Sequence, residues 1–268
     1  MEEIRVESWA EFVDRISVLD DWAFRGQREA GWPLVSSLSR HLSNFVTDKN
    51  RWQEREARAI RIFRRKAHNY LTEHSTLDDD VRCIALMQHH GSPTRLLDFT
   101  KSPYVAAFFA LENATHEAAV FALNTPLLWR AAPRNNPELT RRVIDPRIKG
   151  NFEKYFAGNE HEIVWTGEPK EMDRRLVAQS GTFVMPGVLD KSLDGILSQY
   201  EVSDSLLQKI ILPAAAIRSE GMRSLYRMNI TNATLFPDLD GLARSLAFEL
   251  EVVWRGVADD SAAGHGME

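Results

Sequence analysis

Residues Leu86 to Glu112 read LMQHHGSPTRLLDFTKSPYVAAFFALE, and their punctuation places a helix end, a turn, a strand and a helix start side by side. Gly91 follows Gln88-His89-His90 and can end a helix in the left-handed conformation, where a Cβ would clash. Ser92-Pro93 then disfavours any helical continuation. Leu96-Leu97-Asp98-Phe99-Thr100 is short and apolar apart from one acid, which predicts a strand. Ser102-Pro103 opens the next helix, serine as N-cap and proline at the first helical position. Tyr104 to Leu111 is apolar on nearly every face, so that helix is expected to be buried.

This grammar leaves Gln88, His89, His90, Thr94, Arg95, Asp98 and Thr100 at the ends of buried elements. Polar groups at such depth need partners or a ligand. One reading is a capped turn in which Asp98 pairs with Arg95; the other is a binding site. A metal is not expected. Neighbouring histidines on a helix point about 100° apart, and no Cys cluster or HExxH pattern accompanies them.

Upstream, Ile4 onward is strand-like, and Ser8 caps a helix with Trp9, Phe12, Val13, Ile16 and Leu19 at helical spacing. Trp22 to Gln27 predicts a strand that carries Phe24-Arg25-Gly26. An arginine on a strand presents a planar fork suited to phosphate or carboxylate, unless it sits in an ordinary surface ion pair. Residues 48–74 predict a long helix with an apolar stripe of Trp52, Ala59, Ile60, Phe63, Ala67, Tyr70 and Leu71. Its other face carries Arg51, Arg55, Arg58, Arg61, Arg64, Arg65 and Lys66. Interspersed Glu54 and Glu56 favour a plain solvated face over a nucleic-acid surface. Asp78 to Asp80 place acids at the start of a helix over Val81 to His90.

Downstream, Ala118 to Leu123 predicts a buried strand, and residues 124–150 an irregular insertion. Glu162 to Trp165 predicts a strand. Arg175 to Met185 alternates as a strand would, with Gly181 marking a bulge or a close approach that leaves Gln179 facing a site. Leu207 to Leu212 predicts a strand, Ala214 to Met228 a helix, Leu235 to Gly241 a turn and Leu242 to Trp254 a final helix. Residues 255–268, ending SAAGHGME, have the composition of a disordered tail.

The chain has 268 residues, 44% of them hydrophobic and 26% charged, which is ordinary for a globular protein with a sizeable core. A net charge of −5 argues against a general polyanion-binding surface. The single cysteine, Cys83, cannot form an internal disulfide and fits a reducing cytoplasm as a buried structural residue. The start MEEIRVESW has no apolar signal core, and no long apolar run predicts a membrane span. These features predict one α+β domain over residues 1–254, helix-rich early and strand-rich after residue 118.

Three separated motifs coincide: Phe24-Arg25-Gly26-Gln27, the run Gln88 to Thr100 with Ala106 to Ala110, and Ala178-Gln179-Ser180-Gly181-Thr182-Phe183. Together they resemble the FRG-domain family of bacteria and phages over residues 20 to 245. His90 stands where that family has an aromatic residue. A weaker resemblance is to ADP-ribosyltransferases of the arginine-serine-glutamate class. In these, an aromatic-Arg-Gly strand comes first, then a Ser/Thr-rich strand before a helix, then a strand with a catalytic glutamate. Here Gln179 occupies that third place. Glu160, Glu162 and Glu171 are substitutes without a position, and Asp98 is a fourth.

The resemblance implies a mixed, split sheet with helices over it and NAD as substrate. Arg25 would grip the pyrophosphate beside Gly26, with Gln27 supporting the loop. Gln88, His89, Thr94 and Thr100 would contact the ribose or nicotinamide. Arg95 would hold Asp98 or meet a phosphate. Arg25, Asp98 and Gln179 would form the catalytic set. The implied role is a toxin or phage-defence effector that modifies a protein or nucleic acid and answers to a possible antitoxin. The alternatives are a non-catalytic nucleotide- or nucleic-acid-sensing module and a nuclease. On any of these readings Arg25, Asp98 and Gln179 should meet in one cleft.

Overall fold

The computed structural model describes residues 1–250. Seven strands form one mixed sheet: β1 (Glu2–Arg5), β2 (Ala23–Gln27), β3 (Leu97–Thr100), β4 (Glu117–Leu123), β5 (Val164–Gly167), β6 (Gly181–Pro186) and β7 (Leu207–Pro213). Their order is β1-β7-β4-β2-β3-β6-β5, with β1 parallel to β7 and every other pairing antiparallel. The fold is therefore α+β with a single open sheet.

The site is positioned by a local weakness in that sheet. β2 pairs with β4 along its whole length, from Ala23↔Leu123 to Gln27↔Ala119. It pairs with β3 at only one register, Phe24↔Thr100. Beyond that point the two central strands part, and side chains rather than ladder hydrogen bonds fill the space between them.

The helices are α1 (Trp9–Ile16), α2 (Ser37–Phe45), α3 (Trp52–Ala67), α4 (Asp80–His89), α5 (Pro103–Leu111), α6 (Thr125–Leu128), α7 (Arg174–Ala178), α8 (Leu193–Leu197), α9 (Ser203–Leu206), α10 (Ala214–Arg227), α11 (Asn232–Leu235) and α12 (Leu239–Phe248). One core joins α1, α5 and α10 to one face of the sheet through Trp9, Phe12, Phe24, Phe108 and Ile217. A second lies under α8 with Leu97, Phe99, Phe121, Val184 and Ile196. A third joins α3 and α4 to β5 and β6 through Ile60, Ile84, Met87, Phe156 and Trp165. α5 begins as expected, Ser102 accepting from the Val105 amide with Pro103 in the first turn, and it is buried from Val105 to Phe108.

Gly26 explains how closely α5 can sit. A Cβ built there would lie 2.0 Å from the Ala106 carbonyl oxygen and 2.6 Å from the Ala110 amide. The glycine of the Phe-Arg-Gly motif thus admits a helix backbone. Gly91 takes φ +81 and ends α4, the conformation its position predicts.

Several elements differ from expectation. Residues 174–178 are a helical turn and not part of a strand. Asp173 caps that turn by accepting the Leu176 amide at 2.9 Å, and Ser180 leaves it at φ 47 before β6 begins. So short a helix looks like alternation in sequence. The long helix runs from Trp52 to Ala67, after a 3-10 turn at Lys49–Arg51. Tyr70, placed on its apolar stripe, lies beyond its end and is 85% exposed. The insertion after residue 124 starts with α6 and covers the sheet edge: Arg141 Nε donates to the Thr166 carbonyl at 2.7 Å. The last helix starts at Leu239; its expected run to Trp254 extends outside the described residues, as does the expected tail at 255–268. Among the described residues no helix is long and apolar enough to cross a membrane.

Candidate functional site

The gap between β2 and β3 opens into a cleft of about 240 Å³ lined by Phe24, Arg25, Gly26, Asp98, Phe99, Thr100, Phe109, Arg175 and Gln179. Arg25, Asp98 and Gln179, far apart in the chain, thus meet at one place. A side pocket of about 50 Å³ shares Asp98, Arg175 and Gln179 and adds Gln88, His89 and Asp173.

Arg25 bridges the parted strands. Its Nη1 donates to the Asp98 backbone carbonyl at 2.6 Å. Its Nε is buried without an acceptor among the described residues. Burial pushes its pKa below the usual arginine value; Asp98 opposes that shift and Arg40 adds to it. Asp98 is exposed at the cleft mouth, where Oδ1 accepts from Gln88 Nε2 at 2.8 Å. Gln179 closes α7, and its Nε2 donates to the Leu235 carbonyl at 3.1 Å. His89 ends α4, and its Nδ1 lies 3.3 Å from Asp173 Oδ2.

Other expected residues also hold the site together, Thr100 while lining the cleft. Thr100 is buried and donates to the Gln179 carbonyl at 2.7 Å, which ties β3 to the turn that carries Gln179. Thr94 is buried away from the cleft and donates to Gln88 Oε1. It positions the amide that holds Asp98 and is not placed to touch a ligand. Gln27 is 5% exposed and does not line the cleft; neither side-chain polar atom has a partner among the described residues. Gly26 borders the cleft, but its Cβ direction is filled by α5, so room for a ligand is not what selects glycine here.

Arg95 corrects the sequence reading most sharply. It does not hold Asp98, and no phosphate can reach it. Fully buried, it forks onto Glu56 through Nε at 2.7 Å and through Nη2, while Nη1 donates to the Pro186 and Gly187 carbonyls at 3.1 and 3.3 Å. Glu56 is 4% exposed, so the charged side of α3 is not plainly solvated. Arg58, Arg61 and Arg65 are exposed there, whereas Arg64 pairs with Asp80.

Arg175, Asp173 and Phe109 line the two cavities and were not foreseen. Arg175 and Gln179 are four residues apart on α7 and its cap, which puts them on one side. The signal was Asp173, an N-cap residue three before Leu176. Arg175 Cζ lies 4.6 Å over the Phe236 ring, which also meets Phe109 edge-on at 6.0 Å. The cleft therefore offers two guanidiniums, a carboxylate, an amide and aromatic walls. Glu160, Glu162 and Glu171 do not line it; Glu162 pairs with Lys191 and Glu171 with Arg82. Among the described residues no three His, Cys, Asp or Glu side chains cluster to hold a metal ion. A larger cavity of about 600 Å³ lies elsewhere, an apolar groove between α3 and α4 lined by Phe63, Leu86 and His90 among others.

Residues 20–119 match the family model of the FRG domain. Over these residues the chain is similar to the FRG domain. Its matched segment holds β2, α4, β3 and α5, and with them Arg25, Gly26, Gln88, His89, Asp98 and Thr100. The other wall of the cleft, with Asp173, Arg175 and Gln179, lies beyond the FRG match. No curated protein and no solved structure matches the chain.

Proposed function

We propose that this protein binds NAD in the cleft and transfers ADP-ribose from it, as an effector modifying a protein or nucleic acid. The observation that carries the reading is the meeting of Arg25, Asp98 and Gln179 in one cleft, with Arg175 beside them. Arg25 supplies an anion site. It is a half-buried guanidinium whose buried Nε has no acceptor among the described residues and which forms no direct ion pair there, so a diphosphate would supply the charge and acceptor it lacks. Arg175, stacked on Phe236, is placed to share that role.

Gln179 can orient a ribose hydroxyl but cannot take a proton. Asp98 is the carboxylate that lines the cleft with it, suited to stabilise the oxocarbenium-like charge that develops when a glycosidic bond opens. A toxin or phage-defence role, with a partner that restrains it, is the setting proposed for such an activity. The rival reading keeps the same pocket as a nucleotide sensor without turnover.

Incubating the protein with NAD labelled in the adenylate half, together with cell extract, separates the two. Label on protein or nucleic acid is the expected result. Saturable NAD binding without nicotinamide release favours the sensor, and no binding rejects the NAD reading.

A further inference from the structure

We infer that His89, held by Asp173, is the proton acceptor of the cleft, filling the role for which Gln179 is chemically unfit. The inference rests on the NAD reading above. Its first support is the fixed carboxylate. Asp173 Oδ1 accepts the Leu176 amide at 2.9 Å as the N-cap of α7, so Oδ2 is held toward His89 Nδ1 at 3.3 Å. Both side chains are exposed and the contact is an ion-pair approach; a carboxylate this close to Nδ1 attracts the proton to that nitrogen and leaves Nε2 as the acceptor.

The second support is placement. His89 lines the side pocket with Asp98, Asp173, Arg175 and Gln179. Its Nε2 has no hydrogen-bond partner among the described residues. The His90 ring packs edge-on against it, with centroids 4.9 Å apart. The charged groups around it are Asp173, Asp98 and Arg175, and His90 is the neighbouring titratable group. Near neutral pH an imidazole is a better matched base than a solvated carboxylate. Asp98 is therefore left to electrostatic work.

The step balances without a further reagent. The acceptor's N–H or O–H proton passes to His89 Nε2, and the acceptor's lone pair forms a bond to the C1′ of the nicotinamide ribose. The C1′–N bond breaks, and its electron pair neutralises the pyridinium nitrogen as nicotinamide leaves. The imidazolium then returns its proton to water. His89 is the catalytic residue and Asp173 the positioning residue.

The test follows nicotinamide release from NAD with water as acceptor, across pH, alongside calorimetric binding of ADP-ribose. In the wild type the rate should rise with pH as the base becomes free to accept a proton. His89→Gln should lose about a hundredfold or more and lose that rise, with ADP-ribose affinity unchanged. Asp173→Asn keeps an N-cap residue, so α7 should survive; it should cost about tenfold or more through the misplaced tautomer. Turnover in His89→Gln with the wild-type pH profile would overturn the base while leaving the NAD reading intact. Absence of NAD binding and turnover in the wild type would overturn both.

Discussion

Two arginines of the central motifs meet burial in opposite ways. Arg95 is fully buried and spends its donors on Glu56, Pro186 and Gly187. Arg25 has one hydrogen bond, to a backbone carbonyl, and a buried Nε with no acceptor among the described residues. Moving a cation out of water is costly unless charge and hydrogen bonds are supplied. Arg95 is supplied from within the fold and so serves the fold, pinning α3 to the turn after β6. Arg25 is supplied only in part, and a molecule that brings an anion would complete it. Depth and saturation of donors together separate the structural arginine from the functional one: Arg95 is fully buried and satisfied, Arg25 half-buried and not.

The largest effect should come from breaking the satisfied pair. Glu56→Ala leaves Arg95 buried without its counter-charge and should cost about 3–5 kcal/mol of stability, read from urea unfolding. A loss below about 1 kcal/mol, the size of a surface effect, would mean that Arg95 finds water and that the contrast with Arg25 is not real. Replacing both partners, Glu56→Leu with Arg95→Met, should recover part of the loss but not all, because the Pro186 and Gly187 carbonyls lose their donor.

Arg25→Lys should act on binding and spare the fold. Lysine keeps the charge but lacks the fork. With hydrogen bonds to charged groups worth about 1.5–3 kcal/mol, NAD or ADP-ribose affinity should fall roughly ten- to a hundredfold. Calorimetric titration measures it, with circular dichroism as the fold control. Equal affinities would reject Arg25 as an anion clamp; an unfolded variant would place Arg25 with Arg95 among the structural arginines.

The smallest effect sharpens the comparison from the solvent side. Arg58 and Arg65 share α3 with Glu56 but are exposed. Replacing both by alanine should shift stability by no more than about 0.5 kcal/mol, the usual range for surface changes. A change of several kcal/mol would show that this side of α3 is packed beyond Glu56.

Much of this was legible in sequence because it is local. Ser102-Pro103 starts α5 and Gly91 ends α4 through φ preference and capping, properties of a few adjacent residues. Apolar spacing likewise marks α1 and the buried β4. The short α7 was not legible, since Asp173 to Ala178 completes too few turns for its period to be told from alternation. With α7 unread, Arg175 and Asp173 were invisible as cleft residues.

By itself, then, the chain determined where its elements start and stop, that they form an α+β fold, and which motifs carry unusual polar side chains. Only the tertiary structure decided what those side chains are for. A sequence records that Arg25, Arg95 and Glu56 exist, but the partner of a buried charge comes from a distant segment. The fold pairs Arg95 with Glu56 across 39 positions and leaves Arg25 facing the gap where β2 and β3 part. The same holds for Gly26, whose missing Cβ reads as room for a ligand until α5 is seen to occupy that space. Local propensity is written in neighbouring residues. Whether a buried polar group is satisfied depends on every segment that packs around it.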